Sequence, residues 1–159
     1  MFYVDILVLE VGGNIIDAVS IAVKAALAST RIPKRSVTHV DGGEPEIEIV
    51  DTVGARGYTV IDVSNAPIIV TLVRIGNHCI VDPTPEEEHC SSASVVVAVT
   101  PDGQFSTLRK LGVGSFHASV LMTAVQLASQ LGKEINQVLM KKIKQEEDLG
   151  ANRKRIGFL

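Results

Sequence analysis

The most constraining feature of this 159-residue sequence is a long amphipathic pattern near its C-terminal end. Apolar residues recur there at the i, i+3, i+4, i+7 spacing that places them on one face of an α-helix. The pattern predicts one helix from about residue 116 or 119 to residue 148. Glycine at position 132 costs roughly 1 kcal/mol relative to alanine inside a helix, so we expect Gly132 at a close packing contact. The predicted buried stripe consists of Leu121, Ala124, Val125, Ala128, Leu131, Ile135, Val138, Leu139 and Ile143.

The region before this helix has the patterns of antiparallel β-hairpins. Residues 68–81 contain two apolar runs around Gly76-Asn77, and residues 94–111 contain two runs around Pro101-Asp102-Gly103. Gly and Asn in such short connections are typical of hairpin turns. Hairpins followed by a long helix predict an α+β fold in which mixed sheets pack against helices.

The chain opens with a predicted strand, turn and helix. Residues 2–11 are nearly all apolar, which predicts a strand covered on both faces. Gly12-Gly13 ends this strand, and Asn14 is predicted to cap a helix that reaches about Ser29. The predicted domain organisation is the end of a first domain over residues 1–40, a linker over 41–66, and a second domain with the long helix and a basic tail over 67–159.

Composition limits the class of protein. No run of about 18 apolar residues is present, so we expect neither a membrane span nor a membrane partner. Two cysteines are too few for a disulfide framework, which favours a reducing compartment. The net charge of −3 excludes a strongly basic chain, so any nucleic-acid contact has to be local or shared with another subunit. A mean hydropathy of +0.28 favours association with partners.

Three groups of residues are candidates for chemistry. His78-Cys79 and His89-Cys90 invite a zinc interpretation, but neighbouring strand residues point to opposite faces, so we predict no metal site there. The acidic segment Asp82 with Glu86, Glu87 and Glu88 has the oxygen ligands for magnesium or for acid–base chemistry, although a solvated loop explains the same spacing. Gly12-Gly13-Asn14 has the form of a phosphate-binding turn, yet any tight strand-to-helix connection needs the same glycines.

Residues 4–27, the run Val81-Asp82-Pro83-Thr84 with Glu86-Glu87-Glu88, and residues 153–159 are similar to the RNase PH superfamily. Within it they resemble the non-catalytic ring subunits of the eukaryotic RNA exosome. The resemblance covers nearly the whole chain and is weakest over residues 38–66. It implies an RNase PH-like fold truncated at the N-terminus, either as a shortened isoform or because a first half is missing from the gene model.

The resemblance also implies that this chain is not an enzyme. Active members carry Gly-Gly-Thr-Arg at the strand–helix turn, where the arginine holds the attacking phosphate, and Ile15 stands at the arginine position. Isoleucine cannot provide the bidentate guanidinium contact. Of the aspartate pair that serves the metal and the leaving group, the first position is Asp82 and the second is Glu88. We interpret Ile15, Asp82 and Glu88 as degenerate site positions, with no cofactor and no bound metal.

The favoured hypothesis is therefore a non-catalytic structural subunit of the exosome ring. The family implies other ring subunits, cap subunits and single-stranded RNA as partners, and the nucleus, nucleolus and cytoplasm as locations. Strands 68–75 and 104–111 are predicted sheet edges for subunit contacts. The alternative is an active phosphate-dependent 3′-exoribonuclease, and a third possibility is a truncated product that no longer enters the ring. The candidate RNA contacts are Arg31, Lys34, Arg35, Arg109 and Lys110.

Overall fold

A computed structural model describes residues 2–38, 46–49 and 57–150 of the chain. Its first element is helix α1 (Ile15–Ser29), as predicted. The predicted strand over residues 2–11 is wrong: this segment has no strand pairing among the described residues, and Leu7 and Leu9 are 83% and 68% exposed. A strand requires main-chain partners, whereas this segment lies beside α1, whose backbone groups bond within the helix. Segment and helix together line an open apolar groove of about 560 Å³.

Two short antiparallel ribbons follow α1. Strand β1 pairs with β4, and β2 pairs with β3. The alternation of polar and apolar residues over 46–50 predicts a strand, which is confirmed up to Ile49. The turn predicted at Gly42-Gly43 and residues 54–56 of the loop predicted over residues 54–57 lie outside the described residues. The four strands are β1 (Arg31–Pro33), β2 (Arg35–Thr38), β3 (Glu46–Ile49) and β4 (Tyr58–Val60).

The main sheet has four antiparallel strands. A short helix connects its second and third strands in chain order, and a long helix follows its last strand. Both predicted hairpins are confirmed, with Gly76 and Gly103 at left-handed φ values of 59° and 83° in their turns. The elements in chain order are β5 (Ile68–Ile75), β6 (His78–Val81), α2 (Pro85–Cys90), β7 (Ala93–Val99), β8 (Phe105–Leu111) and α3 (Ala118–Leu149).

The strand order β6-β5-β7-β8 corrects one expectation about the edges. Strand β5 lies between β6 and β7, so the prediction that residues 68–75 form a sheet edge is wrong. Strand β8 has β7 as its neighbour on one side and no described strand on the other, which confirms the second predicted edge. A run as apolar as Ile68–Ile75 is better explained by a central position than by an exposed one.

The core lies between this sheet and α3. Alternate residues of β7 are buried, and the register pairs Leu72 with Val95 and Val70 with Val97 on that face. In α3 the buried positions recur every four residues, at Ala124, Ala128, Gly132 and Asn136. A Cβ on Gly132 would lie 2.6 Å from Val99 Cβ, which confirms the close contact expected at this glycine. Of the predicted stripe, only Val138 is exposed, at 60%.

The acidic segment after β6 is not the solvated loop that spacing favoured. Residues Pro85–Cys90 form α2, although Glu86 and Glu88 remain exposed. Thr84 Oγ1 accepts a hydrogen bond from Glu87 N at 3.4 Å, and Thr84 N donates to Glu87 Oε2 at 2.9 Å. This is a capping box with proline at the first helical position, so Thr-Pro-Glu-Glu was a helix signal in the sequence. Within the described ranges, no helix is long and apolar enough to cross a membrane.

Candidate functional site

The Gly12-Gly13-Asn14 turn packs directly on the segment that connects β6 to α2. Gly13 has a φ of 95°, and a Cβ at this position would lie 2.2 Å from the backbone oxygen of Pro83. Only glycine fits both that conformation and that contact. The packing brings the turn before α1 next to Asp82 and Glu88, which are far away in sequence.

Asn14 supplies three N–H donors to three different carboxylates. Its backbone N donates to Glu88 Oε1 at 2.9 Å, and its side-chain Nδ2 donates to Asp17 Oδ2 at 3.0 Å and to Asp82 Oδ1 at 3.2 Å. Asn14 is 8% exposed and has a left-handed φ of 47°. We call these four residues the Asn14 cluster. Asn14 is the N-cap residue of α1, as predicted, but its side chain makes no capping hydrogen bond, and its amide nitrogen donates to two carboxylates instead.

Asp17 completes the hydrogen bonding of β5 where β6 has ended. The last pair between these strands is Leu72 with Val81, so the earlier part of β5 has no β6 partner. Asp17 Oδ2 accepts from Thr71 N at 2.8 Å, and Asp17 Oδ1 accepts from Thr71 Oγ1 at 2.6 Å. Ser20 Oγ accepts from Ile69 N in the same way. Burial raises the pKa of Asp17 above its ordinary value, against the lowering effect of these hydrogen bonds.

Asp82 and Glu88, the predicted acidic pair, both contact Asn14. Asp82 follows β6 with a left-handed φ of 52°, which is uncommon for a residue other than glycine. Glu88 lies on α2 and reaches back to the turn. The carboxylates of this pair are therefore held by N–H donors of the protein itself. Among the described residues, no group of three His, Cys, Asp or Glu side chains could hold a metal ion.

Ile15, at the predicted degenerate position, is the first residue of α1 and is 37% exposed. Its hydrocarbon side chain offers no hydrogen-bond donor to an anion. The β6–α2 segment, which packs on the turn before Ile15, presents the Pro83 carbonyl and the Glu88 carboxylate. Both groups disfavour a bound anion. The geometry at this turn is therefore that of a closed polar contact between α1 and the β6–α2 segment.

Comparison with known protein families gives a match over the four-stranded sheet and the first part of α3. Residues 65–130 match the 3′ exoribonuclease family, domain 2. We refer to this stretch as domain 2, and its antiparallel sheet packed against a long C-terminal helix is the RNase PH domain 2 fold, as the sequence predicted. Domain 2 contributes Thr71, Asp82 and Glu88 to the site, whereas Asn14 and Asp17 come from outside it.

Known proteins resemble the chain beyond domain 2. The exosome complex component Rrp42 of Thermococcus kodakarensis is 33% identical over 143 residues, which is 90% of this chain and 50% of that protein. An archaeal exosome core has a similar fold, with a TM-score of 0.61, 20% identity, and coverage of 83% of this chain and 47% of that one. The Archaeoglobus fulgidus exosome with RNA bound to the active site gives a TM-score of 0.59 at 20% identity, covering 81% and 44%. The chain thus spans about half the length of the relatives that it matches.

Two of the predicted RNA contacts lie before domain 2. Arg31 and Lys34 are exposed, at β1 and just after it, and the side chain of Arg35 lies outside the described residues. Arg31 lines an open groove of about 900 Å³ between the end of α1 and the end of α3, where Lys142 but also Glu146 are found. Because acidic and basic side chains share this groove, its charge does not favour RNA. The basic tail over residues 153–155 lies outside the described residues.

The other two RNA candidates lie on the edge strand of domain 2. Arg109 is opposite Val96 and Lys110 is opposite Val95 in the β7–β8 register, so the two side chains point to opposite faces of the sheet. Lys110 Nζ donates to the Gly112 carbonyl at 2.6 Å. The two candidates on β8 therefore do not share one face of the sheet, and the role of all five candidates in RNA binding stays a prediction.

A buried lysine that sequence reasoning missed connects α1, α3 and domain 2. Lys24 is 2% exposed, and its Nζ donates to Asn136 Oδ1 at 2.6 Å and to the Ala66 carbonyl at 2.5 Å. Asn136 Nδ2 in turn donates to the carbonyls of Val99 and Gly132. Burial lowers the pKa of Lys24. The sequence feature that could have indicated this buried contact is Asn136, a polar residue at the four-residue spacing of Ala124 and Ala128 on the buried face of α3.

The cysteines of the rejected zinc interpretation lie in different surroundings. Cys79, on β6, is half-buried and packs against the core, and burial raises the pKa of its thiol. Cys90 is exposed at the end of α2.

Proposed function

We propose that this chain is a non-catalytic structural subunit of an exosome ring. In that role it supports 3′–5′ RNA processing and degradation through assembly and RNA threading, and it does not cleave RNA. The Rrp42 relative is named as an exosome component, and the two similar folds belong to exosome assemblies. The proposal extends these properties to a chain that spans about half of those proteins.

The observation that carries the non-catalytic part is the state of the three predicted site positions. Ile15 has no group that can hold a phosphate. Asp82 and Glu88 are exposed residues, and one carboxylate oxygen of each accepts a hydrogen bond from Asn14. A phosphorolytic step requires stabilisation of charge on the attacking and leaving groups, typically by donors or cations worth several kcal/mol. None of these three residues supplies it.

The finer assignment is also proposed. We propose that the chain corresponds to the exosome ring subunit known as exosome component seven. We propose homologous ring subunits and cap subunits as protein partners, single-stranded RNA as a ligand of the whole complex, and nucleus, nucleolus and cytoplasm as locations. The free edge of β8 offers main-chain groups to a neighbouring subunit. A fluorescent fusion observed in cells tests the locations.

Co-purification tests the structural role. When the chain is co-expressed with the other ring subunits and one of them is captured, we expect this chain to elute with it at equal stoichiometry. A matched capture with Phe105→Lys and Leu108→Lys on β8 tests whether the edge contributes, because both side chains are half-exposed there. A soluble, folded chain that never co-elutes would contradict the ring assignment.

The alternative function is an active phosphate-dependent 3′-exoribonuclease. The observation in its favour is that Asp82 and Glu88 both contact Asn14 in the Gly12-Gly13-Asn14 turn. A phosphorolysis assay with short polyadenylate, inorganic phosphate and magnesium distinguishes the two. We expect no release of nucleoside diphosphate above the level of an Asp82→Asn, Glu88→Gln control. Release that exceeds this control would replace the non-catalytic proposal with the alternative.

A further inference from the structure

In the active members of the family that the chain resembles, the positions of Asp82 and Glu88 serve a metal ion, whereas in this chain both residues belong to the Asn14 cluster. Magnesium requires several oxygen ligands that point at one centre. Here Asp17 Oδ2 and Asp82 Oδ1 accept hydrogen bonds from Nδ2 of Asn14, whose hydrogens carry partial positive charge. Glu88 points at the backbone N of the same residue. The donor set does not fit a metal ion, because the place between the carboxylates holds a neutral hydrogen-bond donor.

We propose that Asn14 takes the place of a cation in this chain, and that its three N–H groups hold Asp17, Asp82 and Glu88 together without metal. Three carboxylates converge on one neutral residue, and in the part of the chain that the structure describes no lysine or arginine forms an ion pair with them. Like charges at such distances repel unless donors or cations lie between them. The proposal concerns the cluster itself and does not depend on the ring assignment.

The orientation of the Asn14 amide distinguishes a metal-free cluster from a metal-bound one. With Nδ2 toward Asp17 and Asp82, Oδ1 is buried and has no hydrogen-bond partner. With the carboxylates ionised, the reverse orientation would satisfy neither Asp17 nor Asp82 and would bring three oxygens together, an arrangement that requires a cation. A metal-free cluster and a metal-bound cluster therefore require opposite orientations of one side chain. Stability measured with and without magnesium distinguishes them.

The backbone supports the same role for Asn14. Both residues of the Asn14–Asp82 contact have left-handed φ values, 47° and 52°. Such conformations cost of order 1–3 kcal/mol for residues other than glycine and persist where surrounding contacts fix them. Asparagine and aspartate tolerate this region better than most residues. Aspartate at position 14 is therefore compatible with the backbone while it replaces the amide donor with a fourth carboxylate.

The experiment compares thermal unfolding of the full chain, Asn14→Asp and a matched control in EDTA and in 10 mM magnesium chloride at equal ionic strength. The control is Asn77→Asp, the same chemical change in the exposed β5–β6 turn. We expect the melting temperatures of the unaltered chain and of Asn77→Asp to be the same in both solutions. We expect Asn14→Asp to melt lower in EDTA and to regain about 5 °C in magnesium.

Each outcome decides the proposal. A rise in the melting temperatures of both the unaltered chain and Asn77→Asp in magnesium would show that the intact cluster already binds a cation and would overturn the proposal. Insensitivity of Asn14→Asp to magnesium would overturn it as well. If Asn14→Asp does not fold in either solution, Asn14→Gly replaces it, because glycine keeps the left-handed backbone and removes only the amide. Magnesium is then expected to stabilise Asn14→Gly, and no response would again reject the proposal.

Discussion

Replacing Asn136 with leucine is expected to lower the free energy of unfolding by about 3 kcal/mol, although leucine has the same branching at Cγ and a better helix propensity. Asn136 is fully buried, and its Oδ1 accepts from Lys24 Nζ at 2.6 Å. The substitution leaves the buried lysine with one acceptor, the Ala66 carbonyl, and leaves the Val99 carbonyl without the Asn136 donor. Urea unfolding followed by circular dichroism measures the loss.

The adjacent position provides a matched control for this prediction. Gln137 is exposed on the same helix, so Gln137→Leu is expected to change the free energy of unfolding by no more than about 0.5 kcal/mol. Lys24→Met should partly rescue Asn136→Leu, since it removes the charge that lost its partner. Equal losses at positions 136 and 137 would show that the buried network contributes little.

The pH dependence of stability tests the same lysine. Burial lowers the pKa of Lys24, while the unfolded chain keeps an ordinary lysine pKa of about 10.4. Between these two pKa values the unfolded state binds more protons, so the free energy of unfolding contributed by Lys24 rises as pH increases through that window. The free energy of unfolding of the unaltered chain should therefore increase relative to that of Lys24→Met as pH increases toward about 10. Parallel pH profiles would contradict a buried, desolvated amine.

Most of the sheet and α3 were predictable because their sequence patterns result from interactions between residues that are close together in the chain. The alternation in β7 and the turn residues of both hairpins fix strands and connections within a few residues of one another. The helical period fixes α3, and the cost of a helical glycine indicated the contact between Gly132 and Val99. The order of the strands was harder to predict, because an apolar run such as β5 reports burial without reporting which neighbours bury it.

The segment over residues 2–11 shows where pattern alone fails. Its composition is that of a buried strand, yet a strand exists only where another strand supplies main-chain partners, and none of the described residues does so. Lys24 was missed for a related reason. On a helix that is otherwise apolar, a lysine is expected to reach solvent, and its burial depends on Asn136, which lies 112 residues away.

The residues of the site were identified in part, while their contacts were not. The resemblance brought the turn at Gly12-Gly13 together with Asp82 and Glu88, and the structure places them in contact through Asn14. The role of Asn14 was not predictable from capping preferences, since these apply to a residue with an extended backbone. Its left-handed conformation follows from packing against a segment that lies 68 residues further along the chain.

Gly13→Ala is expected to reduce the free energy of unfolding by about 3 kcal/mol and to open the Asn14 cluster. The left-handed φ of 95° disfavours any side chain by roughly 1–2 kcal/mol. The added Cβ would also lie 2.2 Å from the Pro83 carbonyl oxygen, a backbone atom that cannot turn away as a flexible side chain can. The turn then has to move away from Pro83, which lengthens the hydrogen bonds from Asn14 to Asp82 and Glu88.

Gly12→Ala is the matched control, because a Cβ at position 12 would have nothing within 4 Å. It is expected to leave stability within about 0.5 kcal/mol of the unaltered chain. Chemical denaturation gives the free energies, and hydrogen exchange at the first residues of α1 reports whether the turn has detached. Equal stability of the two alanine variants would mean that the turn does not pack on the β6–α2 segment. A large loss confined to Gly13→Ala would instead show that this contact, made by one glycine without a side chain, joins α1 to domain 2.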